Sequence, residues 1–196
     1  MNFKIIHKEG QFIIPFVLCS ILFFLINIKG LLDISELSYW SNLMIRQPYR
    51  IISYSFVHKD LNHLLSNIFG IIVVRYCFLT LNLKNKNLFL FLIILQILFQ
   101  TIFLFVLDNF LIYKHNNLLV GFSGVLFGSY TFILLSSIFE KRYMFNIFIG
   151  LEKSRDIKKL MILFLCIGIV YSFLPNISLS GHFAGMLSGI VIFFIS

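Results

Sequence analysis

Residues 120–138 read VGFSGVLFGSYTFILLSSI, a run with no charged side chain. Its length is close to the ~20 residues that a helix needs to cross bilayer hydrocarbon. The first half is crowded with small residues: Gly121, Ser123, Gly124 and Gly128. Two explanations compete for them. Gly and Ser let membrane helices approach closely. A serine flanked by small neighbours also suits a nucleophile, because a substrate backbone must be able to reach it. The run reads as a membrane-spanning helix and leaves the role of Ser123 to the rest of the chain.

Composition extends that reading to the whole molecule. Of 196 residues, 59% are hydrophobic, 25 are Phe, and only 12% are charged. A soluble domain carries about a quarter charged residues. The chain is therefore read as an all-α, polytopic membrane protein, with residues 1–196 forming a single membrane domain. The net charge of +8 invites a nucleic-acid partner. That partner is excluded, because the basic residues cluster in short connections between apolar runs, where membrane topology accounts for them. Cys19, Cys77 and Cys166 each lie in an apolar run, without metal-ligand spacing or a disulfide framework. They read as packing residues, and no metal or cofactor is expected.

Six runs are long and apolar enough to be helical spans: about 11–28, 61–80, 88–107, 120–138, 157–174 and 177–195. The first follows Lys4 and Lys8 and lacks a small-residue cleavage site, so it reads as a retained helix. The polar, aromatic stretch 29–60, with Trp40, Pro48 and Tyr49, is expected in the membrane interface. Lys29, Arg46, Arg50, Lys59 and Lys114 fall on one side, leaving eleven of the 16 basic residues on the other. The richer side should be cytoplasmic, so both termini are expected there. The second, fourth and sixth spans then descend from the opposite face. Ser123, His63, Asn67 and His182 all lie near the starts of those spans, in one shallow layer.

That layer has a chemical reading. His182 stands in SGHFAGMLSG (180–189), where Gly181, Gly185 and Gly189 recur every four residues. One face of this helix is bare backbone, and Gly124 and Gly128 give the fourth span a matching strip. If the strips meet, Ser123 and His182 come together. Serine needs a base, and His is the usual one near neutral pH. With no carboxylate at the right depth, the pair reads as a Ser–His dyad whose imidazole is held by packing, with Phe127 as the ring to stack on it. In HKDLNHLLSN (58–67), His63 and Asn67 share a helical face and can donate to an oxyanion, as can the Ser123 amide. Taken alone, each of these residues also fits a plain interhelix contact. His58 and Asn62 read as loop anchors.

As an ordered set, these motifs resemble the rhomboid intramembrane serine proteases. GFSG (121–124) is similar to their GxSG nucleophile motif, GHFAG (181–185) to their GHxxG helix, and His63 with Asn67 to their HxxxN element. The stretch QPYRIISYSFVH (47–58) resembles the family's approach to that element, with Tyr49 where Trp is frequent; Phe127 stands where Tyr is frequent. The resemblance implies a six-transmembrane-helix rhomboid-like bundle. It also implies an endopeptidase that cleaves transmembrane helices of other proteins near the non-cytoplasmic face, with Ser123 as nucleophile and His182 as base. His63 and Asn67 would serve the oxyanion, supported by Gly121, Gly124, Phe127, Gly181 and Gly185. The expected setting is a bacterial inner membrane, with lipid and transmembrane substrates as partners. The alternative is a non-catalytic rhomboid-like protein that binds or escorts transmembrane clients. A transporter or channel is disfavoured, since no charged core or paired broken helices stand out.

Overall fold

A computed structural model describes residues 3–111, 119–175 and 177–196. Lys114 and the side chains of Lys4 and Lys8, counted above, lie outside the described residues. Six long helices coincide with the six apolar runs: α1 (Phe3–Phe23), α4 (Leu61–Thr80), α5 (Leu88–Val106), α6 (Ser123–Phe139), α7 (Arg155–Tyr171) and α8 (Leu179–Ile195). Two short helices, α2 (Ile34–Leu37) and α3 (Arg50–Ser53), lie between α1 and α4. The molecule is a helical membrane bundle. Among the described residues, three segments have the length and composition to cross a bilayer unaided: Glu9–Ile28, Leu61–Thr80 and Leu88–Phe110. Helices α6 and α8 have 17 residues each, about 26 Å of rise.

Helix α6 is buried along most of its length and packs against α4, α5, α7 and α8. Lipid tails are as apolar as Leu, so such contacts depend on close fit. The glycine strips supply it. A Cβ on Gly185 would sit 2.1 Å from the Gly124 carbonyl oxygen, and one on Gly189 would sit 2.2 Å from that of Gly128. The other side of the α6 strip is filled from α5. A Cβ on Gly124 would meet Gln100 Nε2 at 2.0 Å, and Ser129 Oγ donates to Gln96 Oε1 at 3.1 Å. Helices α4, α7 and α8 each begin with a side-chain cap: Asp60 accepts from the His63 amide, Ser154 from Ile157 and Ser178 from Gly181. Helix α6 starts after Phe122 with no such cap, so its first amides are not claimed by a capping side chain.

Three features depart from the sequence reading. First, the fourth-to-fifth connection is an antiparallel hairpin, β1 (Lys141–Met144) and β2 (Ile147–Leu151), turning at Phe145 and Asn146 with both φ positive. Second, Arg75 lies within α4 and clasps Glu9 of α1 through two hydrogen bonds of 2.5 and 2.7 Å. Third, Cys166 is exposed on α7, whereas Cys19 and Cys77 are buried as expected.

The 29–60 stretch folds down onto the bundle. Arg50 is buried there; its Nε donates to Gln47 Oε1 at 2.5 Å and its Nη1 donates to the carbonyls of Ser35 and Ser38 at 2.7 Å. Tyr39 and Tyr54 are fully buried with their rings edge to face. Two backbone bonds pin this loop to the approach of α6: the Tyr39 amide donates to the Leu119 carbonyl, and the Gly121 amide to the Tyr54 carbonyl, each at 2.9 Å.

Candidate active site

Ser123 opens α6 and His182 lies in the first turn of α8. The glycine contact deeper in the bundle sets the distance between these two helix starts. Ser123 Oγ and His182 Nε2 are 2.9 Å apart. His182 is 8% exposed, while Ser123 is half-buried and reachable. Phe127 stacks on the imidazole with ring centroids 4.2 Å apart and planes 14° apart. Gly181 packs closely where α8 begins, since a Cβ there would lie 2.9 Å from the tip of the Leu119 side chain at Cδ1.

His63 and Asn67, one turn apart on α4, form the wall beside Gly121. A Cβ on Gly121 would lie 2.5 Å from His63 Cε1 and Nε2 and 3.6 Å from Asn67 Nδ2. Gly121 also has φ +115, a conformation that L side chains rarely adopt. The chain thus turns into α6 tightly beside two side-chain donors. Asn67 Nδ2 is buried with no hydrogen-bond partner among the described residues. Such a donor is costly to leave unpaired. The first amides of α6, without a side-chain cap, lie at the positive end of the helix dipole.

His58 stands behind this wall. It is fully buried, its Nδ1 donates to the Phe56 carbonyl at 3.1 Å, and its ring meets His63 edge to face at 5.0 Å. Burial, and then the neighbouring His63, push its pKa down to about 3. Its carbonyl accepts from Asn27 Nδ2 at 3.0 Å, which fits the loop-anchor reading. Asn62 is exposed.

The sequence reading missed Ser172, just past the end of α7. Its Oγ lies 2.5 Å from His182 Nδ1 and 2.6 Å from the Gly168 carbonyl oxygen. Gly168 itself seats the stacking ring, since a Cβ there would lie 2.4 Å from Phe127 Cζ. The only advance signal for Ser172 is a hydroxyl at the depth of His182.

Fold and site together define a polytopic helical membrane protein with a Ser–His pair beside preformed amide and imidazole donors. The family model described as Rhomboid domain matches residues 46–196, and the chain belongs to the rhomboid family. That family consists generally of intramembrane serine proteases and includes inactive members. No individually curated protein matches the chain.

Proposed function

We propose that this protein is an intramembrane serine endopeptidase that cleaves transmembrane segments of other membrane proteins. The reading is carried by the 2.9 Å approach of Ser123 Oγ to His182 Nε2, inside hydrogen-bond reach for proton transfer. Ser123 Oγ attacks the scissile carbonyl carbon while its proton passes to His182 Nε2. The oxyanion is met by the Ser123 amide, Asn67 Nδ2 and His63. His182 then gives the proton to the leaving amine as the C–N bond breaks; water, deprotonated by the same imidazole, attacks the acyl carbon, and the Ser123 Oγ–acyl bond breaks as His182 returns that proton to Oγ. Attack requires extended backbone, so substrates with helix-breaking small residues are favoured. Residues 1–196 act as one membrane unit, with both termini in the cytoplasm and the site toward the non-cytoplasmic face of a bacterial inner membrane. The partners are transmembrane-helix substrates and lipid; nucleic acid is not among them.

The test uses a model single-span substrate in proteoliposomes together with a fluorophosphonate probe. Ser123→Ala abolishes cleavage and labelling while leaving the thermal unfolding midpoint unchanged. Substrate binding without cleavage by the unaltered chain overturns the protease reading in favour of a non-catalytic client binder.

A further inference from the structure

The geometry points to Ser172 as a positioning residue that fixes the tautomer and plane of His182; this rests on the protease reading given above. A serine hydroxyl has one proton to donate and lone pairs to accept with. The Gly168 carbonyl, 2.6 Å away, can only accept, so the Ser172 proton is committed to it. At the 2.5 Å contact Ser172 is therefore the acceptor, and His182 Nδ1 carries the hydrogen. A neutral imidazole has one N–H. With that hydrogen on Nδ1, Nε2 presents a bare lone pair to Ser123 Oγ, the arrangement in which it can take the hydroxyl proton. When His182 becomes imidazolium, its Nδ1–H still donates to Ser172.

Ser172 is 3% exposed, so water does not compete freely for this bond. No carboxylate hydrogen-bonds to His182 among the described residues. Ser172 occupies the place that an orienting acid holds in a triad, but brings no charge. The same turn of α7 holds the base twice: Gly168 accepts the Ser172 proton through its carbonyl and, lacking a side chain, admits the Phe127 ring that stacks on the imidazole.

The test combines turnover with a spectroscopic readout. Ser172→Ala and Ser172→Thr are prepared in the full chain with ¹⁵N-labelled histidine, and the His182 ring signals are identified by their loss in His182→Ala. The unaltered chain shows a protonated Nδ1 and a bare Nε2. Ser172→Ala shifts those signals toward a tautomer mixture and lowers kcat by about 10–100-fold with KM little changed. Ser172→Thr, which keeps a hydroxyl able to bond the carbonyl four residues back, restores both. Ring signals in Ser172→Ala that match the unaltered chain overturn the inference. So does an unchanged kcat, or a kcat loss that Thr fails to restore. If the unaltered chain neither cleaves nor reacts with fluorophosphonate, the proposed function falls, and the ring signals alone still decide whether Ser172 orients His182.

Discussion

Asn67 holds a buried amide donor with no hydrogen-bond partner among the described residues, close to the turn that carries Ser123. On the protease reading its partner arrives only as the oxyanion forms. Asn67→Ala should therefore lower kcat by about 10²–10³-fold with KM nearly constant, measured on the single-span substrate. His58 makes a different prediction, for stability. Its folded-state pKa is depressed to about 3 from an ordinary 6.5 by burial, so the unfolded chain binds the proton first. The stabilising effect of keeping it neutral is complete above about pH 6.5 and is lost as pH falls toward 3. The unfolding midpoint should drop on acidification from pH 7.5 to 5, and drop less in His58→Gln. His182, His63 and Asn67 stood out in the sequence because such side chains are scarce in apolar runs, and Ser123 because glycines flank it and it falls in the same layer. Ser172 was not legible, because Ser178 and Ser180 lie at nearly the same level and a serine ending a helix carries no spacing signal. Only the rotation of α7 distinguishes them.

Helices were legible wherever apolar residues ran long enough, and the long elements begin and end within a few residues of expectation, except that α1 begins at Phe3, well ahead of the expected residue 11. The hairpin was hidden because its strands are short and a bulge between Lys141 and Tyr143 breaks the period-two pattern. The contact between α6 and α8 was legible as matching glycines, but the α5 glutamines that fill the other side of that strip were not, because a lone Gln gives no facing partner. The glycine contact predicts the largest packing effect. Gly185→Val would drive a side chain into the Gly124 carbonyl, costing at least the upper end of the roughly 1–3 kcal/mol of overpacking. Its unfolding midpoint in detergent should fall sharply, and cleavage with it. For the loop, Arg50→Met strands the buried Ser38 carbonyl, costing about 1–3 kcal/mol, and takes one of two donors from the Ser35 carbonyl, which keeps Ser38 Oγ, and from Gln47 Oε1, which keeps the Tyr49 hydroxyl. Limited proteolysis between residues 29 and 60 should quicken, while α4 to α8 remain resistant.

Over the whole molecule, the proposed orientation rests on the distribution of charge. On the topology proposed above, six crossings would return the chain to the side where it began, and the basic excess would put that side in the cytoplasm. Asn146→Cys at the hairpin turn should resist an impermeant maleimide in intact cells and react after lysis. Ile45→Cys, at the opposite end of the bundle and 86% exposed, should react from outside. The reverse pattern would turn the bundle over and place the Ser–His pair near the cytoplasmic surface. The pinning of the loop to the α6 approach has one more consequence. Tyr39 and Tyr54 clasp Leu119 and Gly121 through the backbone, so the rim and the turn that aims Ser123 are a single mechanical part. An antibody fragment gripping the rim from the aqueous side would twist that turn from a distance. Such a brake would act without entering the cleft or competing with the peptide to be cut.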